Sequence, residues 1–267
     1  MNRCRGAYHP VTAVGRFRAS KNKVINLRAA RLLAFGVLVA IACSTPSRIG
    51  AAAQDAGVTW LIFVDDLHLD FRNTGYIRKL LGSIASELIR DGDAFVLRSS
   101  GPSPSIPFTT NRSLLDAGIG RVAGNGLPPA AVERLSPANE LEDEMRHRAS
   151  FAGSAATEIL KAGASLSSLR QALLYVTNGR HLDPYDVRVA EFVSAAQRAN
   201  VPVFAMNARG LPGAPTLPVQ GDAALSASYR AAMLNSLRAI SEPTGGFAVL
   251  DEADFADALQ RIGRRVR

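Results

Sequence analysis

The chain has 267 residues, 47% of them apolar, a formal net charge of +8 and only two cysteines. Nine Lys or Arg and no Asp or Glu fall in residues 1–53, leaving 22 basic against 23 acidic side chains in the rest. A body of charge −1 has no overall field to gather phosphates, which removes the electrostatic case for nucleic-acid binding that a basic pI suggests.

The basic leader runs into Leu32–Ala42, an apolar stretch of eleven. That is too short for a membrane-spanning helix, which needs about 20 residues, and suits a signal-peptide core of about 7–15. Ala51-Ala52-Ala53 gives the small-residue pattern of a cleavage site. Residues 1–53 therefore read as a leader and 54–267 as the exported domain. Cys4 and Cys43 both lie in the leader, so cleavage after Ala53 leaves no thiol, no disulfide framework and no Cys-ligated zinc. Cys43 also follows Val39-Ala40-Ile41-Ala42, a loose lipobox. Cleavage before it would give a lipoprotein tethered to a membrane through a lipidated Cys43.

Beyond the leader, short apolar runs alternate with helical patterns, the sequence form of a sheet with helices on its faces. Trp60–Val64 is a continuous apolar run ending in Asp65-Asp66 and reads as a central strand. Ile77, Leu80, Leu81, Ile84 and Leu88 mark one face of an amphipathic helix, stopped at Asp91-Gly92-Asp93. Ala94–Arg98 reads as a second strand and Ile106–Thr109, near prolines, as an edge strand. Asn111 caps a helix reaching about Val122. Residues 124–137 form the longest irregular loop. Glu140–Arg148 reads as a solvated helix face, with Glu142 to Arg146 and Glu144 to Arg148 at i,i+4 spacing.

Ala172–Thr177 is a third buried strand, closed by Asn178-Gly179, followed by a helix over Val187–Ala199 and a parallel-type strand over Val201–Met206. A Pro-containing loop over 211–221 leads to a helix over Ala223–Ser241. Thr244-Gly245-Gly246 turns into the strand Phe247–Leu250, and Phe255, Leu259, Ile262 and Val266 line a final helix. The expected fold is one α/β domain, a three-layer αβα, Rossmann-like, mostly parallel sheet.

In such a sheet ligands bind at the carboxyl ends of the strands. Those ends carry Asp65-Asp66-Leu67-His68-Leu69-Asp70, Ser99-Ser100, Thr177-Asn178 and Asn207. Asp66, His68 and Asp70 alternate with leucines. If the segment is extended, all three point to one side and form a candidate zinc or manganese cluster for a metal-assisted hydrolase. The competing reading has His68 bonding locally and the acids capping the next helix. No P-loop, dinucleotide fingerprint or nucleophile-elbow motif is present.

Phe63–Leu69, Tyr175–Gly179, Phe204–Leu211 and Thr244–Gly246 together resemble the von Willebrand factor type A domain, in particular its bacterial VWFA-related branch. The resemblance implies a non-enzymatic interaction domain that uses a metal held at the top of the sheet by Asp-x-Ser-x-Ser, a distant Thr and a later Asp. Here Leu67 and Leu69 stand at the Ser positions and Asn178 at that of the later Asp. The site accordingly reads as degenerate, with no cofactor or a weakly bound Mg²⁺ or Mn²⁺ at Asp65 and Asp66. Asp65, Asp66, His68, Asp70, Thr177 and Asn178 form the candidate surface for a protein or cell-envelope partner, rimmed by the 124–137 and 211–221 loops. A structural accessory subunit without a ligand is the remaining alternative.

Overall fold

A computed structural model describes residues 57–127, 138–166, 170–178, 186–208, 231, 234–250 and 255–267. The chain divides into two units, Met1–Gly50 and Ala51–Arg267, and every described residue belongs to the second. The expected leader, the 211–221 loop and the first part of the expected helix over Ala223–Ser241 lie outside the described residues.

Six strands form one sheet: β1 (Val58–Val64), β2 (Ala94–Ser99), β3 (Ile106–Thr109), β4 (Arg170–Thr177), β5 (Val203–Asn207) and β6 (Phe247–Val249). Their spatial order is β3-β2-β1-β4-β5-β6. All neighbours pair in parallel except β3, which runs antiparallel to β2 at the edge. This is the doubly wound order, in which chain direction across the sheet reverses between β1 and β4. The expected αβα class is the observed one.

All seven residues of β1 are buried, and alternation divides them between two cores. Val58, Trp60, Ile62 and Val64 pack with α1 (Thr74–Glu87), α2 (Arg112–Ile119) and α5 (Phe255–Val266). Leu61 and Phe63 face α3 (Ala138–Ala164), α4 (Val187–Arg198) and Leu237 and Ile240 of the helical stretch over 234–241. Burial of each such large apolar side chain contributes about 1.5–3 kcal/mol. In the second core the Tyr175 ring lies 4.8 Å from Phe63 and 5.7 Å from Phe192, centroid to centroid.

The amphipathic pattern beginning at Ile77 forms α1, which ends at Glu87. Asn111 caps α2 as its sequence suggests, its side chain accepting from Ser113 N at 3.1 Å. Two glycines are demanded by geometry. Gly245 adopts φ of +84° after the turn that precedes β6, a conformation that glycine enters without strain. At Gly246 a Cβ would lie 1.8 Å from Val203 O, so the backbones of β5 and the turn meet with no room for a side chain.

The lower edge of the sheet is fastened by Asp93, which is 2% exposed. Its carboxylate accepts from Val58 N, Trp60 Nε1 and Arg90 N, and from Arg267 Nη2 at 2.6 Å. Burial alone would raise its pKa. The donors, led by Arg267, outweigh that effect and hold the pKa below the usual value.

Candidate functional site

The opposite edge gathers the polar residues. β1 delivers Asp65 and Asp66, β2 delivers Ser100, and β4 delivers Thr177 and Asn178. Asp65, Asp66 and Thr177 are fully buried and Asn178 is 6% exposed, so their polar atoms must be satisfied internally.

Asp65 sits at the switch point of the sheet. Its Oδ2 accepts from Thr177 Oγ1 at 2.7 Å, bridging the ends of β1 and β4. On Oδ1, Ser100 Oγ lies at 2.9 Å and His68 Nδ1 at 2.8 Å. The negative charge of Asp65 also bears on Tyr175, whose hydroxyl pKa is raised well above its ordinary value, first by complete burial and then by this carboxylate.

Asp66 turns the other way. Gly101 N lies 2.5 Å and Ser100 Oγ 3.0 Å from Oδ1, and Ser103 N lies 2.9 Å and Asn125 Nδ2 3.0 Å from Oδ2. Its own carbonyl accepts from Asn125 N at 2.7 Å. The single Ser100 hydroxyl thus stands between the two carboxylates while accepting from Leu67 N at 3.1 Å.

The segment after β1 is not extended. Asp66–His68 and Phe71–Asn73 are successive 3₁₀ turns, which removes the period-2 premise behind an Asp66, His68 and Asp70 metal cluster. Asp66 reaches the β2–β3 connection and His68 reaches Asp65. Asp70 caps the second turn, accepting from Arg72 N at 2.9 Å and pairing with the Arg72 guanidinium at 2.7 Å. Local bonding of His68 and capping by Asp70 are therefore what the structure contains. The Asn178 side-chain amide donates to His68 O. Among the described residues there is no group of three or more His, Cys, Asp or Glu placed to hold a metal ion.

Several members of this constellation carried no sequence signal of their own. Ser103 also holds Ala123, donating to its carbonyl at 3.0 Å and accepting from its N–H at 3.1 Å. Asn125 lies in an irregular segment, which at Gly124 and Gly126 runs so close to residues 69 and 70 that a Cβ would meet Asp70 O at 2.4 Å and Leu69 O at 2.9 Å. Arg148 corrects the reading of Glu140–Arg148 as a purely solvated face. Its Nε does pair with Glu144 at 2.6 Å, yet Nη1 donates to Asn125 O at 2.8 Å and to Leu67 O at 3.2 Å. Arg146 pairs with Asp143, and the Glu142 side chain lies outside the described residues. His147 stacks edge-on against Phe151 on α3.

No family model matches the chain and no curated protein matches it. Solved structures with a related arrangement include a von Willebrand factor type A protein from Catenulispora acidiphila, at 13% identity and TM-score 0.46. The chain is similar in fold to von Willebrand factor type A proteins. That match covers 78% of this chain and 42% of the other, so the chain spans less than half of it. BatB from Bacteroides thetaiotaomicron matches at 14% identity over 79% of this chain and 97% of that one, TM-score 0.43. An aerotolerance-related membrane protein from Bacteroides fragilis matches at 11% identity, over 79% and 98% respectively, TM-score 0.46. With TM-scores below 0.5, the fold class rests on the sheet order itself.

The von Willebrand A resemblance implies a divalent cation at these strand ends, and the donor set does not fit one. Hard cations take oxygen ligands with free lone pairs. Leu67 and Leu69 supply none, Leu69 is 1% exposed in the core, and Asp66 faces protein donors on both oxygens.

Proposed function

We propose that the chain is an exported, non-enzymatic interaction domain of the von Willebrand A type, which docks a protein or cell-envelope partner at the carboxyl edge of its sheet beside a degenerate metal site. The leader supports export: a one-signed basic segment, an apolar core of eleven and a small-residue cleavage pattern. Among the described residues no helix is long and apolar enough to cross a membrane. Attachment in this reading runs through the leader or a lipidated Cys43.

One observation carries the docking edge. Phe71, 70% exposed, opens the 3₁₀ turn that follows the Asp65–Asp66 segment and is flanked in sequence by the Asp70–Arg72 ion pair. Aromatic side chains and arginine are enriched at protein interfaces relative to the rest of the surface. The fully buried Asp65, Asp66 and Thr177 support this surface from beneath, while Phe71, Asp70 and Arg72 meet the partner.

Capture from envelope extracts tests the reading. The wild-type chain should retain a partner that Phe71→Ser and Arg72→Ala release, with the circular dichroism of both variants unchanged. Equal capture by wild type and both variants would move the interface away from this edge.

A further inference from the structure

The mismatch between the strand-end residues and a divalent cation has a positive counterpart. A carboxylate offers about four lone-pair sites, and Asp66 meets three N–H donors, Gly101 N at Oδ1 and Ser103 N and Asn125 Nδ2 at Oδ2, with the Ser100 hydroxyl, whose one proton is shared with Asp65 Oδ1, beside Oδ1. Those donors belong to two segments distant in sequence, the β2–β3 connection and residues 123–126. Leu67 closes the space beside them. Its Cδ2 would stand 2.8 Å from a Cβ at Gly101, so an isobutyl group fills ground that the resemblance assigns to a ligand hydroxyl. The Arg148 guanidinium, paired with Glu144, donates to Leu67 O and Asn125 O and so ties the residue after Asp66 to the Asn125 segment.

We propose that Asp66 is a metal-free clasp, in which backbone N–H groups, the Ser100 hydroxyl and the Asn125 amide take the place of a cation and hold the β2–β3 connection and residues 123–126 against the end of β1. The conformation of these two segments is then set by hydrogen bonds and is independent of divalent ions. This deepens the proposed docking function only by locating two segments of that edge, so its test reads metal binding and local opening rather than partner capture.

The test uses the purified chain. Titration with Mg²⁺ or Mn²⁺ should give no saturable heat, and neither ion nor EDTA should shift the Tm. Asp66→Asn places an amide N–H₂ against N–H donors. It should lower the Tm by several degrees and speed hydrogen exchange at the Gly101 and Ser103 amides roughly tenfold or more. A Tm raised by Mg²⁺, or a saturable Mg²⁺ heat that Asp66→Asn abolishes, overturns the metal-free assignment. Wild-type exchange rates at both amides in Asp66→Asn overturn the clasp. Should Asp66→Asn not fold, Asn125→Ala removes one of the three N–H donors. Faster exchange at Ser103 in that variant supports the clasp, and unchanged exchange overturns it.

Discussion

The Arg267 guanidinium donates to Asp93 Oδ2 at 2.6 Å, joining the residue after α5 to the turn that precedes β2. Asp93 also receives the N–H groups of Val58, Trp60 and Arg90, so one carboxylate secures three elements at the lower edge of the sheet. Its folded-state pKa lies below the unfolded value near 3.8. The resulting stability is complete above that value and is lost as pH falls through the folded pKa. Asp93→Asn should cost about 3–5 kcal/mol at neutral pH, the usual penalty for breaking a buried pair. It should also flatten the acid limb of a stability–pH curve measured by urea unfolding. An unchanged acid limb would assign the acid sensitivity to other carboxylates.

Two glycine substitutions should move stability in opposite directions. Gly246→Ala drives a Cβ into Val203 O at 1.8 Å, a backbone clash that no side-chain rotation relieves, and should cost about 3 kcal/mol, the upper end of the usual overpacking range. Gly153 lies within α3 with nothing within 4 Å of an added Cβ. Gly153→Ala should therefore stabilise by about 0.5–1 kcal/mol through helix propensity. Thermal melts of the pair check both signs.

Arg148 and Glu144 form an ion pair of unequal importance. Glu144→Gln removes a half-exposed partner and should cost under about 1 kcal/mol. Arg148→Ala also leaves Leu67 O and Asn125 O without their donor and should cost about 1.5–3 kcal/mol. Equal effects in chemical denaturation would return Arg148 to the role of a solvated side chain.

Export predicts a specific mature terminus. Intact mass should place it at Gln54, and the mature chain should give no reaction with a thiol reagent, because both cysteines precede that point. A mass corresponding to an acylated Cys43 start would instead establish the membrane-tethered form.

The sheet was legible because its strands are buried on both faces and so spell continuous apolar runs, as in Trp60–Val64 and Ala172–Thr177. The strand-end site was legible only in part. Asp65 and Asp66 announce themselves by ending such a run, and Thr177 by ending another. The geometry of Asp66, His68 and Asp70 was not, because it depends on whether the backbone after β1 extends or coils, and two 3₁₀ turns decide that. Asn125 acquires its role from the close approach of its segment to residues 69 and 70. Arg148 satisfied a local i,i+4 pattern with Glu144, which concealed the two carbonyls it reaches on other segments. Local periodicity is readable in sequence, whereas a contact spanning 81 positions, such as that from Arg148 to Leu67, is a product of the assembled fold.

The central place of β1 in the sheet has a consequence for how the chain is made. During synthesis β1 emerges first and gains its β2 neighbour after about thirty residues, but its other flank waits for residues 170–177, more than a hundred positions later. Over that interval a strand apolar at every position but Thr59 carries an open row of N–H and C=O groups, the template on which chains mispair with one another. The β1–β4 pairing is accordingly the long-range contact that closes the centre of the sheet and ends that exposure.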